Sequence, residues 1–228
     1  MKDSKIKNLV IVGGGTAGWM SAAAFSRIIG TQSCKVTLIE SRKIGTVGVG
    51  EATIPPIVEF NNLLGINSDK MMRETNGTFK LGIEFINWGK IGDSYMHPFG
   101  SFGRTILNVS FWHYWKKAFD LGISPGLQAY SLNWLAAKEN RFFRGAKIPN
   151  SPLTKIPHAY HFDANLYANF LREFSENLGV NRIEGDVKDV IQDSVSGFIK
   201  ELRLSDGSIV NGDFFIDCTG FKGLLIEQ

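Results

Sequence analysis

"IKNLVIVGGGTAGWMSAAAFSRIIG", residues 6 to 30, sets a continuous apolar run against three successive glycines, followed by an alanine-rich segment closed by Gly30. The apolar run reads as a buried strand, and the segment after the glycines as a helix with Gly30 at its C′ position. Between them Gly13, Gly15 and Gly18 fit the spacing G-x-G-x-x-G. The first glycine of that pattern turns the chain tightly, the second lets the backbone approach a pyrophosphate, and the third lets helix pack closely on strand. Free N–H groups at the start of the helix then face the anion.

A glycine pattern alone is weak evidence, and its context strengthens it. "CKVTLIE", residues 34 to 40, reads as a second strand ending in Glu40, 22 positions after Gly18. A carboxylate there is placed to accept hydrogen bonds from ribose hydroxyls, which favours an adenosine ribose without a 2′-phosphate. The plain alternative is a charged strand end in solvent. FAD and NAD share this fingerprint, and "IGTVGVGEATIPP", residues 44 to 56, separates them. It adds Gly45, Gly48 and Gly50 where a plain dehydrogenase continues into an ordinary helix. Glycine backbone can approach a flat or anionic ligand closely, and the rigid Pro55-Pro56 pair argues against a slack loop. A long extended cofactor, FAD, explains the segment better.

The chain has 228 residues, 43% apolar and 21% charged, enough for one large domain or one domain with an elaboration. Lysine plus arginine at 25 against aspartate plus glutamate at 22 gives +3, without the dense basic footprint of a nucleic-acid binder. Cys34 and Cys218 make neither a disulfide framework nor a zinc site, so a reducing cytoplasm is expected and a metal is not. The apolar run after Lys2, Lys5 and Lys7 is too short for a signal peptide, and no stretch approaches the ~20 apolar residues of a membrane span. A soluble protein is the expectation.

"TNGTFKLGIEFINW", residues 75 to 88, alternates at period two. Phe79, Leu81, Ile83 and Phe85 fall on one face, and Lys80, Gly82, Glu84, Ile86 and Trp88 on the other. By itself this pattern makes Lys80 a solvated strand residue, paired with Glu84. From Asn87 to Pro157 the chain is rich in aromatic residues, with a His-Pro-Phe-Gly turn at residues 97 to 100. This region reads as an insertion, part helix and part loop. Its aromatic rings are core material first and, where clustered, walls of a slot for a planar substrate.

"FDANLYANFLREFSENLGV" then gives a helix with Asp163 as N-cap, Leu166, Phe170, Leu171, Phe174 and Leu178 as its apolar face, and Gly179 as its stop. "NRIEGDVKDVIQ" is strand-like, "FIKELRLSDGSIV" is a hairpin around Asp206-Gly207, and "GDFFIDCTG" is a buried strand. The expected class is α/β: a two-dinucleotide-binding-domain-type FAD fold, with a Rossmann-like ββαβ core and an aromatic-rich inserted substrate region. Residues 1–86 form the FAD-binding core with its glycine loop and the Lys80 strand, 87–157 the insertion, and 158–228 the return of the sheet. The apolar "FKGLLIEQ" reads as entering a helix and as an interrupted end, since termini more often fray in polar residues.

"VIVGGGTAGWM", "GVGEATIP", "FKLGIEFINW", "YHFDA" and "FIDCTGFKGLLI", in this order, resemble the flavin-dependent tryptophan halogenases. The first motif is common to many flavoproteins, whereas "GVGEATIP" with the downstream Phe79-Lys80 pair is specific. The resemblance implies that reduced FAD, delivered by a separate flavin reductase, reacts with oxygen to a flavin hydroperoxide. Halide attacks this species to give hypohalous acid, which travels through a tunnel to a lysine, here Lys80. An ammonium there donates a hydrogen bond to the acid, or its nitrogen forms a haloamine, activating halogen toward an electron-rich ring such as tryptophan or indole.

His97 and Phe99 match positions beside that aromatic substrate, where Phe99 stacks on the ring. Gly13, Gly15, Thr16, Ala17, Gly18, Glu40, Ser41, Glu51 and, through its backbone, Val187 match FAD contacts. A homodimer is a further expectation. Family members continue well beyond this length and carry there a Trp-x-Trp-x-Ile-Pro motif, a catalytic glutamate and a halide-binding loop, none with a counterpart in these residues. An FAD-dependent aromatic monooxygenase is the alternative, since one cofactor fold serves both chemistries. A non-catalytic FAD-binding fragment is the third reading.

Overall fold

The structure is a computed structural model that describes residues 5–41, 50–145 and 148–226. Gly45 and Gly48 of the glycine loop, and the last two residues of the apolar tail, lie outside the described residues. The elements run β1 (Asn8–Val12), α1 (Thr16–Ile28), β2 (Lys35–Glu40), β3 (Gly50–Ala52), α2 (Pro56–Leu64), α3 (Ser68–Glu74), β4 (Thr78–Lys80), β5 (Gly82–Ile86) and β6 (Ser94–Pro98). They continue as α4 (Phe111–Asp120), α5 (Leu132–Lys138), β7 (Ala159–Asp163), α6 (Ala164–Asn177), β8 (Asn181–Glu184), β9 (Val187–Gln192), β10 (Ile199–Leu204), β11 (Ile209–Asn211) and β12 (Phe214–Asp217). The chain divides into two compact units, one of Met1–Glu51, Asn61–Gly77 and Phe162–Gln228, the other of Ala52–Phe60 and Thr78–His161.

The first unit is a Rossmann-like α/β layer. Its parallel sheet has the order β12-β1-β2-β8. The central strands β1 and β2 are buried along almost their whole length, as strands covered on both faces must be, which explains their largely apolar sequence, interrupted in β2 by the buried Thr37. On one face α1 and α6 pack together. On the other, β9, β10 and β11 form an antiparallel sheet whose Leu202, Leu204 and Val210 share one core with Val10, Val12, Ile39 and Leu225. The Asp206-Gly207 turn joins β10 to β11 as expected, with Gly207 at φ +87.

Several expectations change here. The stretch from Asn181 to Gln192 is two strands in two sheets, because the chain leaves the parallel sheet after Glu184. Strand β12 is an edge strand and only half-buried. Helix α6 has its Asp163 cap, which accepts from Leu166 N at 2.9 Å, and stops at Gly179, φ +91. Its buried face is Ala164, Tyr167, Ala168, Leu171 and Ser175, which keeps Leu171 of the expected face and leaves Leu166, Phe170, Phe174 and Leu178 half-buried. The buried residues of α1 include Gly18, Ala22, Ala23 and Ser26. Small residues on both helices permit the close approach, and Trp19 of α1 and Tyr167 and Leu171 of α6 are buried as well. Among its described residues the tail makes a 3-10 turn at Gly220–Lys222 and no α-helix. The Asp217 carboxylate then accepts the amides of Leu225 and Ile226 at 2.7 and 3.2 Å, holding the chain in a turn in place of a helix.

The single strand expected within residues 75 to 88 is two strands in the second unit, β4 and β5, broken at Leu81. Strand β4 pairs antiparallel with the Ala159–His161 stretch of β7, while β5 pairs with β6. The His-Pro-Phe-Gly segment is turn only in its second half: His97 lies opposite Ile83, Pro98 closes the strand opposite Gly82, and the chain bends at Phe99 and Gly100, φ +95. Nor do all the aromatic rings go inside. Helix α4 buries no residue, and Trp112, Trp115 and Phe119 stack along it at 4.9 and 5.0 Å with Trp112 exposed.

Candidate active site

Two constellations carry chemistry, one in each unit. In the first, Gly13 follows β1 with φ +115, and a Cβ there would lie 2.2 Å from the Cys218 carbonyl oxygen. At Gly18 it would lie 1.8 Å from the Gly13 carbonyl oxygen, so helix and turn touch backbone to backbone. At Gly15, the residue before α1, it would meet nothing within 4 Å. The tight turn and the close helix packing match two of the roles read from the spacing, and Gly15 leaves open the space that the third requires. Gly14, absent from that reading, has a fourth: its missing Cβ makes room for the Glu40 carboxylate, 1.8 Å from where the atom would stand.

The turn fits a diphosphate. The first intrahelical bond of α1 is Trp19 N to Gly15 O at 3.1 Å, so the N–H groups of Thr16, Ala17 and Gly18 point out of the helix end without an intrahelical acceptor. Thr16 Oγ1 is buried and has no hydrogen-bond partner among the described residues. An orphaned hydroxyl beside free amides at an open glycine is a donor set that an anion completes.

Glu40 stands at the end of β2 as expected, and it is not a free strand end. It pairs with Arg182 Nε, lies 3.9 Å from Arg172 Nη1, and accepts from Trp19 Nε1 at 3.2 Å. Arg182 escaped the sequence reading because it comes beside Glu40 only through the β2–β8 pairing. Trp19 carried a signal in directly following Gly18. Ser41 follows β2, Glu51 lies on β3 and Ala17 sits exposed in the first turn of α1. Val187 opens β9, partly buried against the core cluster.

In the second unit Lys80 ends β4, only 6% exposed. Its Nζ donates to the Thr53 carbonyl oxygen at 2.9 Å and stands 5.6 Å from the centre of the Phe99 ring. The expected partner Glu84 is bound elsewhere, to Lys138 at 3.1 Å and Ser94 at 3.0 Å. Among the described residues no carboxylate pairs with Lys80. Burial lowers its pKa from the ordinary value. His161, on the neighbouring strand, is lowered too, by desolvation and by the Lys80 charge. An uncompensated ammonium is costly to bury, and the break at Leu81 is what buries it. Period-two alternation would send consecutive residues to opposite faces, whereas here Lys80 and Leu81 are both interior.

Phe99 is buried and His97 exposed. The Phe99 amide donates to Leu81 O at 2.8 Å, and the same carbonyl accepts from Asn133 Nδ2 at 3.3 Å. Asn133, itself buried on α5, also donates to Pro157 O at 2.6 Å. Asn133→Leu strips these carbonyls of a donor and is expected to cost about 1–3 kcal/mol in urea unfolding. A cleft of about 690 Å³ lies against α5, walled by Leu132, Leu135, Phe142 and Ile156. Lys80, His97 and Phe99 do not line it.

No helix among the described residues is long and apolar enough to cross a membrane. The tryptophan halogenase family model matches residues 8–228. Tryptophan 7-halogenase RebH of Lentzea aerocolonigenes is 38% identical over 98% of this chain and 44% of its own length. Among solved structures, Xcc4156, a flavin-dependent halogenase from Xanthomonas campestris, is 48% identical with a TM-score of 0.90, over 97% of this chain and 43% of that one. BrvH, a flavin-dependent halogenase from Brevundimonas sp. BAL3, is 43% identical with a TM-score of 0.90, over 98% of this chain and 44% of its own. The chain thus spans less than half the length of the relatives it matches. A matched region that takes in nearly every residue, together with these identities, shows that the chain belongs to the tryptophan halogenase family.

Proposed function

We propose that the protein is a flavin-dependent halogenase of electron-rich aromatic rings, tryptophan or a related indole, with Lys80 as the catalytic residue that hands over the halogen. The observation that carries this reading is a buried ammonium with a backbone carbonyl and an aromatic ring for company and no carboxylate. A structural lysine would be exposed or paired. The names of the relatives supply the chemistry class.

At the turn shaped by Gly13 and Gly15, the amides of Thr16, Ala17 and Gly18 and the Thr16 hydroxyl hold the FAD diphosphate, with Glu40, Ser41, Glu51 and Val187 along the rest of the cofactor. Bound FAD, reduced by a separate flavin reductase, supplies with oxygen the oxidising equivalent that turns halide into hypohalous acid. Lys80 then acts in either protonation state. As the ammonium it donates a hydrogen bond to the oxygen of the acid and makes the halogen more electrophilic. As the amine its lone pair takes the halogen, hydroxide leaves, and a proton from the nitrogen converts it to water. The depressed pKa brings the amine nearer to neutral pH. Phe99 stacks on the substrate ring and His97 flanks it. Two free cysteines, Cys34 and Cys218, support a cytoplasmic site of action.

The test is to supply the protein with FAD, a flavin reductase, NADH, oxygen and bromide, and to follow a panel of indoles by mass spectrometry. A bromine isotope pair on the product is expected. Addition of oxygen alone would replace the halogenase reading with a monooxygenase. Flavin binding without turnover would reduce it to a cofactor-binding role, and failure to quench FAD fluorescence would remove the cofactor assignment.

A further inference from the structure

We propose that the side-chain hydroxyl of Thr53 is a positioning group for Lys80, locking the carbonyl that aims its nitrogen; this rests on the halogenase reading above. Thr53 O is the acceptor for Lys80 Nζ, at 2.9 Å. Thr53 is in turn fixed by three hydrogen bonds to one residue, Tyr160. Its N–H donates to Tyr160 O at 3.0 Å, its hydroxyl donates to the same oxygen at 2.8 Å, and the hydroxyl accepts from Tyr160 N at 3.0 Å. Tyr160 lies opposite Phe79 in the β4–β7 ladder. Tyr160 therefore ties the acceptor to β7, the same strand that pairs with the donor's strand β4.

On its other side Thr53 is followed by Ile54, confined to extended geometry because Pro55 comes next. The carbonyl is stiff in both directions, and two of the three bonds that make it so belong to the hydroxyl. This matters for transfer because a carbonyl only accepts. It occupies one N–H of Lys80 whether the nitrogen is ammonium or amine. The remaining N–H bonds, or the lone pair once a proton has left, are tetrahedrally directed away from Thr53. Without the hydroxyl a single backbone bond tethers Thr53 to Tyr160, and the direction of the nitrogen is lost.

Thr53→Val and Thr53→Ala remove the hydroxyl, and Thr53→Ser retains it. Spectra of the protein labelled with 13C at the lysine ε position, with Lys80 assigned from Lys80→Met, read the lock directly. In wild type and Thr53→Ser the Lys80 ε protons are expected to be shifted upfield by the Phe99 ring and to be inequivalent. In Thr53→Val and Thr53→Ala they collapse toward averaged values. In the bromination assay the same two variants lose kcat by on the order of 10²-fold, with KM for the indole and FAD affinity unchanged, and Thr53→Ser restores it. A folded Thr53→Val with the wild-type Lys80 signal would overturn the proposal, as would a Thr53→Ser that loses the signal as fully as valine. If valine does not fold, Thr53→Ala decides. Failure of both to fold assigns the hydroxyl to stability alone and also overturns it. Bromination surviving in Lys80→Met would defeat the halogenase reading, while the spectra still decide the role of Thr53.

Discussion

Lys80→Met abolishes bromination, by about 10²–10⁴-fold, while raising the melting temperature of the same protein. The two effects share one cause. Lys80 is 6% exposed and, among the described residues, has no carboxylate beside it, so the native state pays for desolvating a charge and recovers only a carbonyl bond and a ring contact. Methionine fills similar space without the charge. The expected gain is about 1 kcal/mol after the Thr53 carbonyl loses its donor, or about 2–4 °C for a chain of this size. The pH dependence gives the sign. Below the depressed pKa of Lys80, the unfolded state binds the proton more tightly than the native state. Wild-type stability therefore climbs as pH rises from that depressed value toward 10.5. The advantage of the variant is full at neutral pH and narrows across that alkaline window. Thermal denaturation of both proteins at neutral and alkaline pH checks it, and a variant that melts lower at neutral pH contradicts it.

The glycines of the N-terminal turn should separate stability from cofactor binding. Gly18→Ala places a Cβ 1.8 Å from the Gly13 carbonyl oxygen, a backbone atom that cannot swing away. Helix α1 must lift off β1, at a cost of about 3 kcal/mol or more, seen as a fall in melting temperature of about 6–12 °C. Gly15→Ala behaves in the opposite manner. Gly15 has φ −76, which alanine adopts readily, and its Cβ would meet nothing within 4 Å. Its melting temperature should stay level or rise slightly, since alanine restricts the unfolded chain. Its FAD affinity should fall by on the order of 10–10²-fold, because the new methyl stands where the diphosphate approaches the amides. Fluorescence titration with FAD alongside thermal melts measures both. Equal FAD affinities in Gly15→Ala and wild type would displace the diphosphate from this turn.

What could be read from the sequence was what is contiguous. Strand β1, the glycine turn, α1 and β2 follow one another within 33 residues, from Asn8 to Glu40, and each glycine role is set by neighbours a few positions away. The Asp163 cap and Gly179 stop of α6 are local for the same reason. The burial of Lys80 is not local. It needs Thr53 from 27 positions upstream, the β7 strand that begins at Ala159, and a break at Leu81 that no periodicity announces. Alternation assumes a strand that continues, and so it assigned Lys80 to solvent. His97 and Pro98 misled through chemistry that does favour turns, because proline is also tolerated on an edge strand such as β6. Arg182, Asn133 and Tyr160 act through register and strand order, which one sequence does not display.

Trp19 is buried in the first unit with its indole N–H on Glu40, whereas Trp88, Trp112, Trp115 and Trp134 belong to the second, with Trp88 74% and Trp112 48% exposed. The protein thus carries two optical reporters of different colour. Emission at the blue edge belongs chiefly to the indole beside the glycine turn, and emission at the red edge to the wetter four. Following both wavelengths through a single denaturant titration resolves whether the units lose their structure together or in succession, without a label or an added dye.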